Sequence, residues 1–187
     1  MSTAAVMSAS PAPWRSKPVL VDALQAHLHS LARLVESLGE HTYRAAPRAS
    51  SGSAGEHVRH CLDHARALIS AKAARHMSYD SRLRGTAVET DPRAAGEEID
   101  RLCAALEQLD TDDMRTSLTL DTQTHRGAPP IRVETTIGRE LAFVAQHTIH
   151  HCATLAVLLE GMGIAVPERF GYAPSTPASR HCATTFG

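Results

Sequence analysis

Aromatic side chains are scarce in this 187-residue chain, with one Trp, three Tyr and three Phe making 4% of the total. Alanine is abundant instead, a composition of compact helix packing, so helix is favoured before any pattern is read. An excess of basic charge is lacking too: 19 Lys and Arg stand against 20 Asp and Glu, for a net charge of −1. Without a basic field there is little to draw in a phosphate backbone or an anionic lipid surface, so neither nucleic acid nor membrane is expected as a partner. The opening MSTAAVMSASPAPW has neither the charged start nor the apolar core of a signal peptide, and no apolar run is read as a membrane span. Cys61, Cys103, Cys152 and Cys182 are widely spaced with no CxxC pair, so reduced thiols and a cytoplasmic protein are expected. No internal repeat is visible, and the length suits one domain with a continuous core.

Residues 1–17 are rich in Ser, Ala and Pro and are read as a mobile segment, as is the tail 178–187, leaving 18–177 as the domain. A first helix opens at Pro18 and carries Leu20, Leu24, Leu28, Leu31, Leu34, Val35 and Leu38 at three- and four-residue intervals before Gly39. Ser53-Ala-Gly-Glu56 has the form of a capping box and starts a second helix running to about His76. The polar stretch Tyr79 to Thr90 reads as irregular. Asp91-Pro92 then caps a third helix with Ile99, Leu102, Cys103, Leu106 and Leu109 on its apolar side. The alternation in SLTLDT and IRVETT around Gly127-Ala-Pro-Pro130 indicates two short strands or an extended excursion. A fourth, long helix begins near Thr136, holds Leu141, Val144, Thr148, Leu155 and Leu158, and breaks at Gly161-Met-Gly163. The expected fold is all-α: a four-helix bundle with a short extended or β-hairpin excursion before the last long helix.

Six of the twelve histidines fall in two helical windows, His57, His60 and His64 in GEHVRHCLDH, and His147, His150 and His151 in AQHTIHHC. Neutral imidazole is the commonest protein ligand of first-row metals. His147 and His151, four apart, share one helix face, and Glu140 lies on that face two turns earlier. On the second helix His57, His60 and His64 form a stripe. His60 is the best placed of them beside Leu62, Ala65, Leu68 and Ile69, and Asp63 is positioned to orient an imidazole. A single histidine on an apolar face is more often a hydrogen-bonded core residue; two helices each bringing a cluster shift the balance towards a metal site. Cys61 and Cys152 directly follow candidate ligands, but a neighbour is turned about 100° away on a helix and reads as a small hydrophobe. His27, His29, His41, His76, His125 and His181 read as solvated or capping residues.

The chain resembles the DinB/YfiT-like superfamily of metal-binding four-helix bundles. The resemblance rests on SGSAGEHVRHCLDHARAL, on YDSRLRGTAVETD and on IGRELAFVAQHTIHHCATLAVLLEGMGIAVPERFGYAPST, and covers Val19 to Pro177. The family's second-helix pattern of a histidine, two residues and an acid falls on His60 and Asp63, and its last-helix pair falls on His147 and His151. The resemblance therefore nominates His60, His147 and His151 as the metal triad, with His150 as the adjacent histidine, and sets FGYAPST, Phe170 to Thr176, near the bundle mouth; His57 then reads as a neighbour, and the role of His64 stays open.

What the resemblance implies about activity is a divalent-metal enzyme of thiol S-transferase or hydrolase type. Zinc is the default ion for three neutral nitrogens, with nickel and iron also compatible. An open coordination position would acidify a bound water or thiol, and Glu140 or Asp63 would orient a ligand or relay a proton. The expected substrate is a small molecule, a low-molecular-weight thiol among them, and alanine-rich helix faces are compatible with a homodimer. Two rival readings are a non-haem iron protein activating oxygen, as in sulfoxide-synthase relatives, and a non-catalytic metal-stabilised binding or stress protein.

Overall fold

A computed structural model describes residues 17–47, 52–80 and 84–177. The segments read as mobile, 1–17 and 178–187, lie outside the described residues except Lys17, whose ammonium pairs with Asp22 and Glu107, each at 2.7 Å. Three of the four long helices start at a residue whose side chain accepts from a backbone donor of the first turn, and the first starts after a proline without such a bond. Pro18 precedes α1 (Val19–Ser37), which buries Val21, Leu24, Leu28, Leu31, Leu34 and Val35 along one stripe. A short α2 (Glu40–Arg44), too brief to leave a periodic signature, follows and buries Tyr43, whose hydroxyl donates to the Val88 carbonyl at 2.7 Å.

The capping box at Ser53 is made in both directions: Ser53 Oγ accepts from Glu56 N at 3.2 Å, and Glu56 Oε2 accepts from Ser53 N at 2.8 Å. It starts α3 (Ala54–Ala74), which Arg75 ends in the left-handed region at φ 55°. Gly55 in its first turn is required, since a Cβ there would collide with the Glu89 carbonyl and the Tyr43 ring. Asp91 caps α4 (Pro92–Leu106) by accepting from Arg93 N at 2.8 Å. This helix stops three residues short of Leu109, which is buried in the following turn. Thr136 caps α5 (Ile137–Gly161).

An all-α fold is corrected here: the chain is predominantly helical but also carries a three-stranded sheet in the order β1-β2-β3. β2 (Ser117–Thr122) and β3 (Ile131–Thr136) form the expected antiparallel hairpin, with Leu120 opposite Val133. The addition is β1 (His76–Ser78), parallel to β2 with Met77 opposite Leu120. Three residues at the end of a helix are too few to show a period of two, so β1 reads as the tail of α3 until its distant partner is in place.

The four long helices pack in a closed cycle, α1 against α4 and α5, and α3 against α4 and α5, around one core. The sheet sits over one end of α3 and α5, with β1 touching α3 and β3 leading into α5. By length and composition α5 is apolar enough to cross a membrane, against the sequence expectation that no run is. Its apolar surface has another explanation: Ile137, Leu141, Val144, Leu155 and Leu159 are fully buried against the other helices.

Candidate metal centre

Where α3 and α5 lie side by side, their two histidine windows meet. The Nε2 atoms of His60 and His147 are 3.0 Å apart, and the Nδ1 atoms of His57 and His151 are 3.3 Å apart. His64, one turn along α3 from His60, reaches the same point, its ring centroid 4.3 Å from that of His147 and 4.4 Å from that of His60. His60, His64 and His147 each offer one ring nitrogen such that all three lie within 4.8 Å of one another. His151 is a direct neighbour of this group, with its ring centroid 4.5 Å from His60 and 4.6 Å from His147. His150 is exposed, as i+3 from His147 on the outer side of α5 allows.

These donors suit a divalent ion. Bonds of about 2.0–2.1 Å in tetrahedral geometry place nitrogen ligands about 3.3 Å apart, and the three ring nitrogens lie within 4.8 Å of one another. His64 Nδ1–H donates to the His60 carbonyl at 2.9 Å, which fixes the tautomer and leaves Nε2 as the donor towards the cluster. Two of the adjoining rings have lowered pKa values. Burial, reinforced by the neighbouring imidazoles of His147, His57, His150 and His64, takes His151 down to about 3, and burial lowers His57. Both can therefore present a lone pair at neutral pH.

The two candidate carboxylates are engaged differently. Asp63 accepts from Arg59 at 3.0 Å and from Arg66 at 2.5 Å, and Arg66 continues to Glu98 at 2.6 Å, so Asp63 is the centre of an arginine network. Arg59 also pairs with Glu89, which joins α3 to the turn before α4. Glu140 is 1% exposed and accepts from the Tyr79 hydroxyl and the Thr135 hydroxyl, each at 2.7 Å, with the Arg139 guanidinium at 3.3 Å. The Tyr79 ring stacks on His64 at 4.6 Å between centroids, so Glu140 reaches the histidines through an aromatic ring.

Cys61 and Cys152 are buried in the core, and burial pushes their thiols up, Cys152 to about 12. They act as small hydrophobes, which is what their positions one residue past the histidines indicate. An open cavity of about 470 Å³ adjoins the cluster and is lined by Glu56, His57, Arg59, His60, Arg84, Glu89 and His151, a predominantly polar wall. The FGYAPST segment packs on α5 through Phe170, 5% exposed, and through Gly171, where a Cβ would run into the backbone of Cys152 and Ala153.

Two residues at the cluster escape a reading based on histidines. Phe143 is four residues before His147, and that spacing alone would have placed it beside the ring. Tyr79 left no such signal, because only the parallel pairing of β1 with β2 brings it over α3 and α5.

Comparisons with known proteins agree with this architecture. A DinB-like protein from Bacillus subtilis, of known crystal structure, superposes with a TM-score of 0.61 at 21% identity, covering 83% of this chain and all of that one. FK506-binding protein 5 from Rhizopus delemar is 33% identical over 101 residues, and the match spans 54% of this chain but only 26% of that protein. The sequence model of the DinB superfamily matches residues 23–155, and the chain belongs to that superfamily.

Proposed function

We propose that the protein is a divalent-metal-dependent enzyme of thiol S-transferase or hydrolase type, built on a DinB-type four-helix bundle and working in the cytoplasm. The observation that carries the reading is the convergence of His60, His64 and His147 from two helices, with His151 in contact, beside a polar cavity. His60 and His147 are the common ligands. The third position falls to His64 in the arrangement seen, or to His151 once its ring turns away from His57. A bound divalent ion, zinc by default with nickel or iron as alternatives, supplies Lewis acidity that makes a thiolate or hydroxide available near neutral pH.

The chain's own residues then do the rest. The imidazoles would hold the ion beside the cavity lined by Arg59, Arg84, Glu56 and Glu89, where a small polar substrate, such as a low-molecular-weight thiol, would bind. Asp63 keeps Arg59 oriented along α3, and Glu140 supports the side of the cluster away from the cavity through Tyr79. Elemental analysis of protein purified without a histidine tag tests the reading, followed by assays with small thiols and electrophilic or ester substrates. About one divalent ion per chain is expected, lost in His147→Ala. Metal-free wild-type protein, even after incubation with zinc, would overturn the proposal.

A further inference from the structure

We propose that Tyr79 and Phe143 form an aromatic clamp that sets the planes of the His64 and His147 imidazoles, making both of them positioning residues for the metal centre. The inference rests on the metal reading above. An imidazole turns about its outer torsion with little intrinsic preference, so a ring that must aim a lone pair at one point needs contacts on its face. Here both rings have them. Tyr79 lies parallel to His64, with centroids 4.6 Å apart and planes 13° from each other, and Phe143 lies along His147 at 5.5 Å and 17°. The two aromatic rings also touch one another at 5.2 Å, so neither can swing without displacing the other.

The clamp is fastened from behind. The Tyr79 hydroxyl donates to Glu140, and the Arg139 guanidinium sits both 3.3 Å from that carboxylate and 5.5 Å over the Phe143 ring. A buried carboxylate with three donors around it is a rigid anchor, since moving away from any of them would leave charge uncompensated in the interior. Thr135, at the end of β3, is one of those donors, and Tyr79 directly follows β1. The three-stranded sheet thus has a definite role: its edge delivers one ring of the clamp, and its last strand delivers part of the anchor. A chain with seven aromatic residues in 187 places two of them on the candidate ligands.

Equilibrium binding of zinc and cobalt to the full chain tests this, with a chromophoric chelator as competitor, the cobalt absorption band as a report on geometry, and the melting temperature of the metal-free protein alongside. Tyr79→Leu and Phe143→Leu are expected to weaken binding by about tenfold or more and to alter the cobalt band, as lost support around a ligand does. Tyr79→Phe keeps the ring and should restore most of the affinity. If Tyr79→Leu does not fold, Phe143→Leu and Tyr79→Phe still decide the matter. Wild-type affinity and an unchanged cobalt band in the folded Leu variants, or a Tyr79→Phe defect as deep as that of Tyr79→Leu, would overturn the clamp while leaving the metal reading intact. Wild-type protein that binds neither ion removes the metal reading first.

Discussion

The α1–α4 side of the molecule and the α3–α5 side are built from different materials. On α1 and α4 the buried residues are largely aliphatic, Leu24, Leu28 and Leu31 with Ile99, Leu102 and Leu106; the buried polar ones are Glu98, which turns to Arg66 of α3 at 2.6 Å, and Gln25, whose amide donates to the Cys103 carbonyl at 2.9 Å. Along α3 and α5, burial takes in His57, Arg59, Asp63, His64, Glu140 and Thr148. Removing polar groups from water is unfavourable unless each is satisfied, so the second side gives up hydrophobic stabilisation that the first retains. The division implies that α1 and α4 supply the stability against which α3 and α5 hold a cluster of partly buried imidazoles in place.

Substitutions on the two sides should therefore fail in different ways. The largest effect is expected at the cluster. His64→Ala should reduce bound zinc, measured by elemental analysis after gel filtration, to under about a tenth of wild type, whereas His151→Ala should retain most of it. The reverse outcome would assign the third position to His151 and mean that its ring leaves His57 on binding. On the other side, Leu28→Ala removes a side chain with no exposure and should cost about 2–5 kcal/mol in urea unfolding of the metal-free protein, with metal stoichiometry unchanged. Loss of metal from Leu28→Ala under conditions where it remains folded would mean that the two sides are not separable.

How much of this was legible in the sequence follows the same division. The leucine stripe of α1, the capping box at Ser53, the Asp91-Pro92 start and the hairpin after Thr116 are local patterns, and each appears in the fold where the pattern put it. The meeting of His60 with His147 was also readable, because one clustered stripe per helix leaves few ways to bury both. What could not be read depends on partners far away in the chain. The parallel pairing of His76–Ser78 with β2 and Tyr79 stacking on His64 are set by tertiary geometry. The apolar content of α5 is ambiguous for a related reason: a buried core helix and a lipid-facing one have the same composition, and only the packing around α5 separates them.

The smallest expected effect concerns a property that the two sides share. Cys103 on α4 is 6% exposed, and burial, aided by the carboxylates of Asp100 and Glu107 and opposed by Lys17, raises its thiol to about 11. In the unfolded chain a cysteine ionises near its ordinary value of about 8.5. Below that pH both states keep the proton and Cys103 contributes no pH dependence. Above it the unfolded chain loses the proton first, the folded state binds more protons, and stability falls as pH rises towards about 11. At pH 9 the loss from this one thiol is under about 1 kcal/mol, because half of the unfolded chain's thiols or more have ionised but the driving force is still small. Cys61 and Cys152, raised by burial on the α3–α5 side, add to the same slope. Thermal melts of metal-free protein between pH 8 and 10 should therefore show a declining melting temperature, and Cys103→Ala should make the decline shallower without removing it. An unchanged slope in Cys103→Ala would mean that the Cys103 thiol contributes nothing to the alkaline loss, which then belongs to other buried groups.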